Sequence, residues 1–553
     1  MEKIQIQDAS IRLNVVTPVV LKGALLLLGV GVVYILGYCI YQLLFHPLAK
    51  YPGPFLAKVS NGYAAYHAWK GDLHIDMWRC HVKYGDFVRY APNRLNVNTS
   101  TGLRDIYTHG KNFRKSKNYN AMVHRALNTL TITDKKEHGR RRRVMSQGFS
   151  DASMRSYEPS MLAQAQKFCA CLARSDEQLS AKTVERWLPA RNMSQWCNYL
   201  AFDTMSDLIF GSDYDLLGKP DNRFVVDAIE ASNVRVSVLL QAPEAITGRL
   251  DKWLFPESIQ GRDRFIKFVN RLLRDTMKVD RSKRRDIFSI LSTAKDPETG
   301  SGLGRAEIIA ESTTLIVAGM ASPASCAAEL EDGLANDFVT GTDTSSTAMT
   351  GMFFYLAHYP HAYARAAQEV RSTFGDCSEI RIGPKLNSCS YLRACIDECM
   401  RMSPSVGSSL FREVQAGGAM VDGEFIPAGV DVGTPIYSIH HNPAYFPDPF
   451  AFLPERWLVS EASNTAGFGA YNPFSVGPRS CIGKGMALTE LMLTMATVLL
   501  TLDFKLADGD EAGGMLSAEW GRHRPDEFQL RDHVTAAKNG PMIHFRIRDV
   551  ESD

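Results

Sequence analysis

Cys481 lies in the stretch Phe474-Ser475-Val476-Gly477-Pro478-Arg479-Ser480-Cys481-Ile482-Gly483, directly ahead of an apolar run that reads as a helix. A thiolate at a helix N-terminus faces unpaired backbone N–H groups and the positive end of the helix dipole, which lower a thiol pKa from about 8.5. Such a sulfur can ligate a metal. Gly477 and Gly483 carry no side chain and would let a large flat group approach the backbone, while Arg479 could pair with an acidic substituent of that group. A flat, metal-bearing ring with acidic arms meets all three demands, and haem is such a group. Against this stands the plainer fate of a cysteine beside an apolar helix, a small buried hydrophobe, which is the reading for the others among the 11 cysteines.

At these positions the chain resembles the cytochrome P450 family, the haem-thiolate monooxygenases, whose loop pattern Phe-x-x-Gly-x-x-x-Cys-x-Gly is met at Phe474, Gly477, Cys481 and Gly483. The resemblance implies haem b, with Cys481 as the axial ligand of its iron. Glu398 and Arg401 stand three apart on a predicted helix, so their side chains can meet. By itself that is the pattern of a solvated surface pair. Pro454-Glu455-Arg456-Trp457 resembles the family's next motif, whose arginine joins the pair, implying a buried network of Glu398, Arg401 and Arg456 that shapes the cysteine loop. In Glu137-His138-Gly139-Arg140-Arg141-Arg142-Arg143 the family carries Trp-x-x-x-Arg, both side chains reaching a haem propionate; here His138 replaces the tryptophan and Arg142 is kept. Arg412 and Arg479 are the other implied propionate partners. Arg140, Arg141 and Arg143 read either as a solvated face or as a docking site for the acidic surface of an electron donor. His440-His441 reads as adjacent strand residues on opposite faces, not as a metal pair.

Gly341-Thr342-Asp343-Thr344-Ser345 resembles the family's oxygen-binding motif, where a hydroxyl and an acid deliver protons to dioxygen; Thr344 is the candidate hydroxyl and Asp343 the acid. The helix leading into it should run from Glu307 to Gly319, but residues 320–341 intervene, with Pro323, Gly333 and the acids Glu329, Glu331 and Asp332. As helix this insert would displace the motif by about 33 Å. An interior proline costs about 3 kcal/mol more. The insert is therefore expected to loop out. Removing it leaves Ala318-Gly319-Thr342-Asp343-Thr344, an uninterrupted match, so we read it as a retained intron translated in frame, with a genuine surface loop as the alternative.

These residues need a large scaffold, and 553 residues with 45% hydrophobic content can provide one. A net charge of +2 lacks the basic excess of a nucleic-acid-binding protein. The cysteines are odd in number and lack zinc-site spacings, which favours a reducing compartment. Residues 23–45 are uncharged and long enough to cross a bilayer, with Tyr34, Tyr38 and Tyr41 crowding one end. The stretch is too long for the core of a cleaved signal peptide. The expected organisation is a tail (1–22), a transmembrane anchor (23–45), a proline-rich hinge (46–54) and one catalytic domain (55–553). Apolar spacing predicts helices over 151–173, 196–210, 262–277, 391–402 and 484–500, and hairpins near 87–97 and 419–427. The fold class is thus mainly α with a minor β-sheet portion, the cytochrome P450 fold behind one membrane helix. The resemblance implies a monooxygenase acting on a lipophilic substrate, plausible in fungal secondary metabolism, from the cytosolic face of the endoplasmic reticulum. It would use O2 and electrons from NADPH through a separate reductase, since no flavin or nicotinamide fingerprint is present. The alternatives are a haem-thiolate isomerase or dehydratase needing no external electrons, and a catalytically inert splice form or haem-binding protein. Substrate contacts are expected from 118–130 and 234–255, the latter with Val236, Val238, Leu239, Leu240, Ile246, Trp253 and Leu254.

Overall fold

The computed structural model describes residues 2–122, 127–174, 187–212, 214–277, 286–316, 342–459 and 465–548. The insert at 320–341 lies outside the described residues. Helix runs from Glu2 to Ile40, so the expected tail is itself helical, and it passes into a π-helical turn, Tyr41–Phe45. Within this stretch Leu21–Phe45 is long and apolar enough to span a membrane and is not buried against the protein. Lys484–Thr501 passes the same test by composition, but its apolar side chains are buried in the core.

The N-terminal helical stretch meets the rest of the chain at Arg89. This fully buried arginine donates to Gln42 O and Gln42 Oε1, both 2.6 Å, and to Pro92 O. Its N–H bonds Pro52 O at 2.8 Å, and a Cβ at Gly53 would overlap its carbonyl, so hinge and strand are in direct backbone contact. The expected hinge is thereby packed down, with Leu48 and Tyr51 buried in a small apolar cluster.

The main core is helical. Asp151–Leu172, Met193–Phe210, Thr342–His358, Ser390–Met402 and Lys484–Thr501 bury their apolar residues together, including Phe168, Phe202 and Phe353. Helices Thr342–His358 and Ser390–Met402 cross closely at Gly351, where a Cβ would stand 2.7 Å from Cys399 Sγ. Two expected helices start earlier than their apolar spacing suggests. One begins at Met193, capped by Asn192, whose side chain accepts from Ser194 N at 3.1 Å; the other begins at Pro256.

A five-stranded sheet runs in the order Phe87–Ala91, Arg94–Val97, Asp431–Gly433, Arg412–Val414, Phe113–Lys115. The expected first hairpin forms one edge of it. On the other edge Lys115 pairs in register with Arg412. The second hairpin, Ala419–Val421 with Glu424–Ile426, turns at Asp422 (φ 47°) and Gly423 (φ 80°), the positive-φ pair that such a tight turn requires. His440 is not in a strand. It ends the short helix Ile436–His440, and both it and His441 are buried with Nδ1 at a backbone oxygen, Arg401 and Tyr437 respectively.

Candidate active site

The cysteine loop closes on itself through Cys481 N to Phe474 O at 2.9 Å and Ser480 N to Gly477 O at 3.0 Å. Gly477 has φ +73°, and a Cβ there would overlap the Tyr107 carbonyl. Its need for glycine comes from the chain packed against it, which corrects the expectation that it clears space for a ligand. Gly483 does face the cavity described below, and a Cβ there would lie 3.9 Å from Cys481 Sγ. Cys481 is exposed, and its surface opens into that cavity. Burial pushes its thiol up; backbone N–H groups of Gly483 and Lys484 and the charges of Arg142 and Lys484 pull the other way without prevailing. The expected depression of its pKa is therefore not found, because desolvation outweighs the helix terminus.

A cavity of about 300 Å3 lies over Cys481. Phe474, Ile482 and Met486 line it beside the sulfur, and Leu315, Thr344 and Ala348 line it from the helices Arg305–Ile316 and Thr342–His358. Ser405 Oγ donates to Thr344 O at 2.9 Å, fixing this turn against the segment after Met402. Asp343 does not reach the cavity. It is buried beside it, accepting from Thr535 Oγ1 at 3.0 Å and Asn233 Nδ2 at 3.3 Å, and burial pushes its carboxyl up, partly offset by Lys538.

One edge of the cavity is cationic. Lys115, His138, Arg142 and Arg479 line it, with Arg412 paired to Lys115 just behind. Among the described residues none of these is bonded to a carboxylate. Arg142 donates to Ser480 O at 2.7 Å, Arg412 to Leu410 O and Phe411 O, and Arg479 to the carbonyls of Ile132, Thr133 and Asp134. Lys115 Nζ rests 3.9 Å from the Tyr119 ring centre. The groups depress one another. Burial and then Arg412 hold Arg479 down to about 10, burial and Arg479 hold His138 down to about 3, and burial with Arg412 and Arg479 holds Lys115 well below the usual lysine range. Buried cations without counter-charge are costly. A ligand with two acidic arms would relieve that cost, so this donor set fits haem, with a sulfur on one face and anion partners at its rim.

Glu398 is fully buried and accepts from Arg401 (2.8 and 2.9 Å), Arg456 (3.0 Å), Leu453 N (3.0 Å) and Trp457 Nε1 (2.9 Å). Burial alone would push its carboxyl up, but Arg401, Arg456 and the Leu453 N–H outweigh it and the group ends below the usual range. From Arg401 the contacts continue to His440 O, and His440 Nε2 accepts from Asn472 N, whose carbonyl binds Ser475 N in the cysteine loop. This chain of bonds was not expected from sequence beyond its first three members.

The basic run is only partly as expected. Arg142 points to the cysteine loop, but Arg140 pairs with Glu137 and Glu307, Arg141 with Glu137, Glu307 and Glu311, and Arg143 with Asp296 and Glu298. Arg140, Arg141 and Arg143 are thus paired with acids of the same chain, Arg141 buried and Arg143 with Glu298 at the surface. Of the apolar residues named in 234–255, only Leu240 lines the cavity; its neighbours there are Ser237 and Gln241, while Val236 packs on Tyr119 and Met122 and Trp253 is exposed. Two cavity acids had no place in the sequence reading. Glu490, pushed up to about 7 by burial and eased by a Ser345 hydrogen bond, was visible as the sole acid of an apolar helix. Glu311, also pushed up to about 7, had no such signal.

The chain matches the family model described as Cytochrome P450 over residues 52–326 and 327–518, the break falling inside the insert. It is 47% identical over 533 residues to cytochrome P450 monooxygenase AKT7 of Alternaria alternata, covering 95% of this chain and 96% of that one. It is 46% identical over 531 residues to cytochrome P450 monooxygenase atnE of Emericella nidulans, with the same shares covered. The crystal structure of the cytochrome P450DA haem domain superposes with a TM-score of 0.67 at 18% identity, over 91% of this chain and 98% of that one, a likeness of fold. Matched along nearly its whole catalytic length, and at high identity to named monooxygenases, the chain belongs to the cytochrome P450 family and is a haem-dependent monooxygenase that uses O2, an organic substrate and a redox partner.

Proposed function

We propose that Cys481 is the axial ligand of the haem iron and that Arg142, Arg412 and Arg479, joined by Lys115, hold the propionates, with His138 beside them. The observation that carries this reading is the cluster of buried and half-buried basic groups, none bonded to a carboxylate among the described residues, at the rim of the cavity into which Cys481 opens. Bound there, the iron would activate dioxygen and insert one oxygen atom into the substrate. Phe474, Ile482 and Gly483 would pack beside the sulfur. Thr344, which lines the cavity, would supply the hydroxyl, and Asp343, buried beside the cavity with its carboxyl pushed up by burial, would be the acid behind it. Glu398, Arg401 and Arg456 act on the shape of the loop alone.

The substrate we infer is a lipophilic compound, a secondary metabolite in keeping with the fungal sources of the relatives. Exposed Phe55, Leu56, Tyr66 and Trp69, and Leu250 and Trp253, support its entry from a lipid phase. Asn61 ties the first group to the second through Glu244 at 3.1 Å. The apolar span Leu21–Phe45 supports a single-pass anchor, here assigned to the endoplasmic reticulum with the catalytic domain, residues 55–553, on the cytosolic side behind the 46–54 hinge. Electrons would come from NADPH through a separate reductase. Residues 320–341 are proposed to be absent from the working enzyme, a reading supported by the break in the family match at 326–327. The test is the absorption spectrum of the reduced, carbon-monoxide-bound protein: a sulfur-ligated carbonyl band is expected for the native chain and its loss in Cys481→Ser. A band unchanged by that substitution would overturn the assignment.

A further inference from the structure

The loop 127–134 lines the cavity through Thr129 and Leu130. Reciprocal bonds stiffen it: Asn128 N to Thr131 Oγ1 at 3.1 Å, and Thr131 N to Asn128 Oδ1 at 3.0 Å. Its far end, Ile132 to Asp134, is held by Arg479 of the cysteine loop. Its near end is held by one carboxyl oxygen and one guanidinium. Glu311 Oε1 accepts from both Thr129 N and Thr129 Oγ1, each at 2.8 Å. Arg141 backs this contact, donating to Leu127 O at 2.5 Å and to Glu311 Oε1 at 3.4 Å.

Glu311 projects from helix Arg305–Ile316, which also supplies Leu315 to the cavity wall. It is fully buried, and its second oxygen, Oε2, has no hydrogen-bond partner among the described residues. A buried acid with an orphan oxygen costs stability, and a helix packed by Ile308, Ile309 and Leu315 does not need it. What its Oε1 bonds secure is the loop. Stiffness within 128–131 makes that loop move as a piece, so the attachment at Thr129, a loop residue that itself lines the cavity, holds its cavity end down.

We propose that Glu311 is a positioning residue: through Thr129 it clasps the loop 127–131 against helix Arg305–Ile316, and release of the clasp limits the exchange of ligands between the cavity and the outside. This rests on the cavity being the haem pocket. Two bonds to one carboxyl oxygen must break together for the loop to lift, whereas losing the hydroxyl bond alone leaves the backbone bond in place.

The experiment uses the full haem-loaded chain and two probes, carbon monoxide recombination after flash photolysis and stopped-flow association of 4-phenylimidazole. Glu311→Leu, which removes both bonds, is expected to raise both rates about tenfold, and Thr129→Val, which removes the hydroxyl bond alone at equal volume, to raise them by a smaller factor of about three. Thr129→Ser keeps the hydroxyl and is expected to retain the native rates. Should Glu311→Leu fail to fold, the Thr129 pair decides alone. Equal rates in Thr129→Val and Thr129→Ser, each with a sulfur-ligated carbonyl band, overturn the clasp and leave the haem reading intact. Absence of that band from the native chain overturns the haem reading itself.

Discussion

Lys115 and Arg412 face each other across paired strands, a juxtaposition that repels unless an anion lies between or beside them. Arg142, Arg412 and Arg479 could be named from motif spacing. Lys115 could not, because only the pairing of two strands far apart in sequence brings it to the cavity. Its substitution separates two roles. Lys115→Met should raise the thermal midpoint of the haem-free protein, by removing an uncompensated charge, and accelerate haem release from the loaded protein about tenfold, by removing a partner of the acidic arm. Transfer of haem to excess apomyoglobin and thermal melts of both forms would check this. Glu490 offers a test in pH. Its carboxyl is held up to about 7, above the ordinary 4.5, so the folded state retains a proton that the unfolded chain gives up. Its stabilising contribution is complete below about pH 4.5, falls as pH rises toward 7 and changes no further above that. Glu490→Gln should therefore flatten the decline in melting temperature between those limits.

Helices were the most legible elements. Ser390–Met402 and Lys484–Thr501 fall within a residue or two of their apolar spacing, and the acid and base at Glu398 and Arg401 share a face as that spacing requires. What spacing could not give was the partner segment. The acids that neutralise Arg140, Arg141 and Arg143 come largely from 296–311, and the residues of 234–255 that reach the cavity depend on how helix Phe224–Gln241 is rotated. The Glu398 network predicts a sharp elemental effect. Glu398→Gln should leave Arg401 buried beside a neutral group and cost about 3–5 kcal/mol. Denaturant unfolding would show the loss, while turnover per bound haem should stay unchanged, since the network touches the cysteine loop indirectly, through Arg401, His440 and Asn472.

At the scale of the molecule, what composition made legible was the long apolar N-terminal helix ahead of a mainly helical body. The insert is the open departure. A chain lacking 320–341, joined at Gly319 and Thr342, should bind more haem per mole of protein than the full chain, measured by carbonyl absorbance, and the mature message should encode that shorter form.

The join between anchor and catalytic part was not foreseen, and it bears on how a soluble version could be prepared. A cut placed after Phe45, at the visible edge of the apolar stretch, would discard both oxygens that Gln42 offers the guanidinium of Arg89. Beginning a few residues earlier keeps them. The two shortened chains differ only in the segment 38–45, which holds Gln42, yet the one starting near Tyr38 should melt several degrees above the one starting at His46, a loss on the order of 3 kcal/mol for a stranded interior cation. Purification schemes that trim every greasy residue would thus remove a stay that the globule itself relies on.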